Sequence, residues 1–205
     1  MRTAACESAD EISGPSGEGS VLGGTAATRS LRVWLLFGNL GIIVLVAAVF
    51  VAATARLFVF PSADRPARVD GIVSLNGSNE PTRRALAISL AEKGYAPVVL
   101  FSRGGEKADT PCPKAPTIAV VCFVDVPGNT RGEAEWAGQY AERHHWHSLM
   151  IVSGRAQVTR ARLLAERCFS GRVLVVPIAE SRPALSEVVH QWGGLLSALV
   201  VHRGC

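Results

Sequence analysis

Uncharged and mostly apolar residues run without a break from Val33 to Ala55 (VWLLFGNLGIIVLVAAVFVAATA), 23 positions, with Arg29 and Arg32 ahead of them and Arg56 behind. A helix rises about 1.5 Å per residue, so such a run covers the roughly 30 Å hydrocarbon core of a bilayer with some tilt. The pattern predicts one transmembrane helix over 33–55. A cleaved signal peptide would have an apolar stretch of about 7–15 residues ending in small residues. This run is longer and follows a tail of 32 residues. Thr54-Ala55 resembles a cleavage site only weakly, so an uncleaved anchor is the better reading.

Beyond the anchor and a Pro-containing linker (56–68, with Pro61 and Pro66), the pattern alternates between short apolar runs and amphipathic stretches. The runs Val69–Leu75, Pro97–Ser102, Ile118–Val124, Leu149–Ser153 and Val173–Val176 predict strands. Pro81–Lys93 predicts a helix, with Pro81 suited to its first position and Gly94 to the residue past its end. Thr130–His145 is a second helix, whose T-x-x-E of Thr130 and Glu133 reads as a capping box. Gln157–Phe169 is a third, and Ala184–His202 a fourth with apolar residues at helical spacing. Short apolar strands flanked by helices mean a parallel sheet covered on both faces. The predicted fold class is therefore α/β: a Rossmann-like three-layer domain over 69–205 with about five parallel strands, preceded by one transmembrane helix.

The tail, residues 1–32, carries three basic and four acidic residues among Gly, Ser, Thr and Ala, and reads as disordered. The remainder, 56–205, has 18 basic and 13 acidic residues, a net +5. That excess is ordinary solubility charge and points to no nucleic-acid partner. Orientation rests on two opposed signals. Arg29 and Arg32 on one side against Arg56, Arg65 and Arg68 on the other lean slightly away from an external domain. Cys112, Cys122, Cys168 and Cys205, an even set beyond the anchor, favour an oxidising compartment. The cysteines carry more weight, which places the tail in the cytoplasm and the domain outside the cell membrane. Four cysteines allow three pairings, and spacing does not choose among them.

Ligands of parallel sheets sit beyond the carboxyl ends of the strands. The predicted turns there bring Asn76 and Gly77; Ser102, Arg103, Gly104 and Gly105; Asn129, Thr130 and Arg131; and Ser153, Arg155 and Gln157, with Arg160 just inside the following helix. Arg83, one turn into the first helix, adds a further cation. Guanidinium groups, glycine backbones and helix N-termini meeting at one end suit an anion such as phosphate. Glu133 and Asp70 are the candidate catalytic carboxylates. Asp70 lies at the amino end of its strand, which favours a structural role, and the capping box accounts for Glu133 without chemistry. No G-x-S-x-G elbow, phosphate loop or dinucleotide fingerprint is present. His144, His145 and His147 crowd a helix end and point in different directions, so no metal is assigned to them. Trp146 reads as a packing residue. No cofactor can be named.

The motifs VDGIVSLNG, YAPVVLFSRGG, NTRGEA and IVSGRAQVTRARLL, with Arg83, Ala87, Leu90 and Gly94 between the first two, stand in an order that resembles the YdcF-like family, which includes the SanA and ElyC envelope proteins. The likeness spans roughly Val69 to Val176. It implies a Rossmann-like domain and, in anchored members, a role in envelope barrier function or polymer and lipid-carrier metabolism, without a settled reaction. Gln157 stands where the family usually has a histidine, Gly154 where a serine is common, and Asn76-Gly77-Ser78 where a Gly-rich run is usual. The expected function is a membrane-anchored envelope protein that binds an anionic small molecule or a lipid-linked envelope precursor. The alternatives are a phosphoester hydrolase or transferase acting on a lipid-linked or nucleotide-like substrate, and a nonenzymatic envelope interaction protein.

Overall fold

Helix α1 runs over Gly24–Thr54 and passes into a single π turn, Ala55–Val59. The computed structural model describes residues 24–103, 111–180 and 182–205. Residues 24–32, read from composition as part of a disordered tail, are helical; 1–23 lie outside the described residues. Among the described residues, one segment is long and apolar enough to cross a membrane, Asn39–Val59, which overlaps the predicted 33–55. Apolar side chains such as Leu40, Ile43 and Val46 are more than half exposed along it. A helix satisfies its own backbone groups, so such a surface is stable in lipid. The protein is membrane-anchored through this one helix. The chain divides into two compact units at Ala48/Val49, and the second of them carries the whole sheet.

Five strands, β1 (Gly71–Ser74), β2 (Val98–Ser102), β3 (Ala119–Phe123), β4 (Ser148–Ser153) and β5 (Arg172–Pro177), form one parallel sheet in the order β3-β2-β1-β4-β5. Val73 is centred between Leu100 and Ile151. Side chains alternate across a strand, so Val73, Leu100, Ile151 and Val175 enter one buried layer and Ile72, Val99, Met150 and Val152 the other. Helices α3 (Thr130–Arg143) and α4 (Val158–Cys168) contribute Ala137, Ala141, Ala161 and Ala165 to the first layer. Helix α2 (Glu80–Glu92) contributes Ala87, Leu90 and Ala91 to the second. Small side chains at these positions let the helices lie close to the sheet. Trp146 covers Gly71, where a β-carbon would overlap its ring, so its packing role holds.

The segment read as a linker is folded onto the domain. Phe58 is fully buried with Ala156, Val188 and Leu195, and Thr159 donates to the Leu57 carbonyl at 2.6 Å. Asp64 accepts from the Val175 backbone N–H at 2.8 Å and pairs with Arg162 at 2.5 Å. Helix α5 (Leu185–Leu196) continues into a second π turn, Ser197–Val201. The candidate cysteines pair as Cys112–Cys122 and Cys168–Cys205; the second ties the C-terminus to the end of α4.

Candidate functional site

From β1 the chain winds outward through β2 and β3; from β4 it winds the other way to β5. The carboxyl ends of β1 and β4 therefore flank the point where strand order reverses, the usual ligand crevice of an open parallel sheet. A cavity of about 690 Å³ opens there. Its walls come from the turn after β1 (Asn76, Gly77, Ser78), from Arg83 on α2, and from the loop into α3 (Asp125, Gly128, Asn129, Thr130, Glu133). Gln157 and Arg160 after β4, and Ser186, Glu187, His190 and Gln191 of α5, complete it.

Arg83 is 1% exposed, the largest fully buried side chain in the described residues. Its Nη1 donates to the Asn76 carbonyl at 2.9 Å and to Gln157 Oε1 at 2.8 Å. Two glycines make room for it. Gly77 has a φ of +135°, and a β-carbon there would lie 3.1 Å from Nη1; one on Gly154 would lie 2.6 Å from Nη2. Burial lowers the Arg83 pKa, opposed by Glu180, Glu133, Glu187 and Glu80. A guanidinium stays charged through such a shift. Gln157 then passes the contact on: its Nε2 donates to Thr130 Oγ1 at 2.9 Å, and Arg160 Nη2 donates to the same oxygen at 3.2 Å. A hydroxyl has two lone pairs and one proton. With both lone pairs engaged, Thr130 has only its proton left to offer a further partner. Arg160 is seated against Gly194 of α5, where a β-carbon would overlap its Nη1. Burial lowers the Arg160 pKa too, with Glu133 opposing.

Facing this row is a buried acidic pair. Glu133 accepts from the Asn76 backbone N–H at 2.6 Å. Burial raises its carboxyl to about 7, against the pull of the Asn76 N–H; a hydrogen bond with Ser102 also lowers it, the charge on Asp125 raises it, and Arg83 lowers it. Ser102 donates to Asp125 Oδ1 at 2.9 Å. A hydroxyl has only one proton to give. Shared between two carboxyl groups, that proton offsets only part of the burial that raises Glu133. Asp125 Oδ2 and Gln191 Oε1 are buried acceptors of the cavity with no donor among the described residues.

The capping box gives way to a different arrangement. Asn129, not Thr130, caps α3, its Oδ1 accepting from the Arg131 and Gly132 N–H groups at 2.9 and 3.1 Å. Released from that task, Glu133 reaches across to the β1 turn. Asp70 is at the far end of β1, where its carboxylate accepts from the His147 and Ser148 N–H groups, both at 2.8 Å, and from Ser148 Oγ at 2.9 Å. These bonds, the His147 N–H foremost, lower its pKa. It clamps two strand starts together and is no part of the cavity, which removes it as a catalytic candidate.

Of the predicted cations, only Arg83 and Arg160 line the cavity. Arg131 turns outward to Glu135 at 2.7 Å and His202 Nδ1 at 3.0 Å, on a smaller adjoining cavity. Arg155 bonds through its backbone N–H to Glu180, and Arg103 through its own to the Phe123 carbonyl at 3.0 Å. Ser153 is buried with its hydroxyl on the Gly154 carbonyl, and Ser102 serves the acidic pair from beneath. Gly104 and Gly105 lie outside the described residues. The α5 wall was missed in the sequence: its Ser186, Glu187, His190 and Gln191 break an apolar helix with a polar edge, a signal that apolar periodicity hides.

No family model, curated protein or solved structure matches this chain. The chemistry of the site therefore rests on its own geometry.

Proposed function

We propose that the cavity binds a small phosphorylated or otherwise anionic ligand, and that the protein serves the cell envelope from the outer side of its membrane. One observation carries the ligand class: a buried arginine, Arg83, and a half-buried one, Arg160, joined through Gln157 and Thr130, form the wall of a switch-point cavity. Buried guanidinium groups with fixed geometry suit phosphate oxygens. Burial favours the neutral form of Glu133, which lessens the negative charge facing Arg83 and Arg160. The unpartnered Asp125 Oδ2 and Gln191 Oε1 suit hydroxyl donors, which favours a phosphorylated polyol or sugar over bare phosphate. Two disulfides support an oxidising compartment, and the resemblance to YdcF-like proteins supports an envelope role. The test is titration of the detergent-solubilised full chain with inorganic phosphate and glycerol phosphate. Arg160→Ala should weaken binding about tenfold or more, the loss of one charge-assisted bond, with the fold intact by circular dichroism. No binding by the wild type, or equal binding by the variant, refutes the reading.

A second reading, phosphoester hydrolysis or transfer, is favoured by Glu133. A carboxyl titrating near 7 beside two arginines is suited to carry a proton in general acid–base chemistry. Phosphoesterase activity that vanishes in Glu133→Gln while phosphate binding survives would establish it. Binding without turnover would leave the first reading alone.

A further inference from the structure

Helix α5 has three faces. Val188, Gln191 and Leu195 are buried in the domain, and Ser186 and His190 edge the cavity. The third face is apolar and uncovered: Leu185, Val189 and Leu196 fall within about 40° of arc, and Val200 extends the stripe into the π turn, these four being between 51% and 80% exposed. No charged or polar side chain interrupts it.

What covers this stripe is indicated by the edge of it. Trp192 stacks on Phe50 with ring centroids 5.4 Å apart, meets Phe58 edge-on at 5.2 Å, and donates from Nε1 to Thr54 Oγ1 at 3.2 Å. All three partners belong to the end of the membrane-crossing segment Asn39–Val59. Phe50 lies six residues before Arg56, about 9 Å deeper along the helix. A side chain of α5 thus reaches a level of the span that lies inside the apolar run. Amphipathic helices at membrane surfaces sink their apolar face about 5–10 Å into the headgroup boundary, and tryptophan is enriched at that level. At the end of that segment Phe58 is buried with Ala156, Val188 and Leu195, and Thr159 donates to the Leu57 carbonyl.

We infer that α5 lies in the interface of the bilayer that α1 crosses, with Leu185, Val189, Leu196 and Val200 in contact with lipid. The occupant of the exposed stripe is the anchor's own membrane. The same helix carries Ser186 and His190 at the cavity, so the cavity is held at headgroup level. If the phosphorylated-ligand reading is right, a ligand whose polar head stands at the membrane surface enters without leaving the bilayer.

The test is depth measurement by spin labelling of the full chain in phosphatidylcholine–phosphatidylglycerol vesicles. Labels are placed at Val189→Cys, Leu196→Cys and Val200→Cys in a Cys6→Ser background, with Glu92→Cys on the exposed end of α2 as the aqueous control. The expected result is high accessibility to oxygen and low accessibility to a soluble nickel chelate at the three α5 labels, reversed at position 92. Labels as open to the chelate as the control would overturn the inference. Labels closed to both reagents would overturn it too, since that is the signature of a protein partner or a second copy. The measurement needs no ligand, so failure of phosphate binding would not touch it.

Discussion

Replacing Glu133 by Gln should stabilise the protein at alkaline pH and leave it little changed in acid. In the folded chain this carboxyl titrates at about 7 against an ordinary 4.5. Between those values the native state holds a proton that the unfolded chain has released. Its penalty is absent below about pH 4.5, grows as pH rises through the window, and is complete above about 7. One pKa unit corresponds to about 1.4 kcal/mol, so the full penalty is about 3 kcal/mol. Gln keeps the shape, its carbonyl can accept from the Asn76 N–H, and it carries no charge to desolvate. The assay is urea unfolding of wild type and Glu133→Gln in the same detergent at pH 5 and pH 8, followed by tryptophan fluorescence. With m-values of about 1–3 kcal/mol/M for small domains, the variant's midpoint at pH 8 should lie about 1–3 M above wild type, and the gap should shrink to less than about a third of that at pH 5. Asp70 titrates in the opposite sense, its contribution being lost only as pH falls through its lowered value, so work above pH 5 keeps it out of the comparison. A pH-independent difference, or a variant less stable at pH 8, would refute the burial of a neutral Glu133.

Asp70→Ala removes an acceptor shared by three donors and should cost about 2–4 kcal/mol with phosphate binding unchanged in the folded fraction, which urea unfolding and titration would check together. Cys168→Ser with Cys205→Ser opens a loop of separation 37 and should lower stability by about 4 kcal/mol on the chain-entropy account, read by the same denaturation. Gly154→Ala drives a β-carbon against the Arg83 guanidinium and should weaken phosphate affinity more than it lowers the unfolding midpoint.

The strand and helix order was legible because each element announces itself locally. VVLFS and LMIVS are apolar runs of strand length, and Pro81 and Gly94 punctuate α2 where the structure begins and ends it within a residue or two. The position of the site was legible for the same reason, since a parallel sheet dictates where its crevice lies. Which arginines enter the crevice was not. Arg103, Arg131 and Arg155 each stand in a turn at the right end of the sheet, yet side-chain direction is set by partners remote in sequence: Glu180 for Arg155, His202 for Arg131. Glu133 was concealed by a local motif that fits it equally well. Its true donor, Asn76, is 57 residues away, and no pattern within one helix carries that information. The tail and linker failed in the opposite direction, because composition reports a lack of core-forming residues but not a helix that propagates from a long apolar neighbour, or one phenylalanine, Phe58, that finds a pocket.

Gln157 shows what the row of polar groups along the cavity wall requires at its middle position. Its carbonyl oxygen accepts from Arg83 and its amide donates to Thr130. A neutral imidazole offers the same pair of functions, one acceptor and one donor, but an imidazolium offers two donors and would confront the Arg83 guanidinium. A histidine in this place is therefore held neutral by its neighbour and by burial, and its proton is not the one free to move. The group that burial brings to about 7 is Glu133, across the cavity. The prediction is that Gln157→His folds, binds phosphate within about threefold of wild type, a difference of well under 1 kcal/mol, and shows a histidine proton resonance that does not shift between about pH 6 and 8. Histidine's ordinary value near 6.5 falls inside that range, so an unperturbed ring would titrate visibly. Titration of the new histidine with an ordinary midpoint, or loss of phosphate binding in a folded variant, would show that the Arg83–Gln157–Thr130 row is not the rigid connection the distances describe.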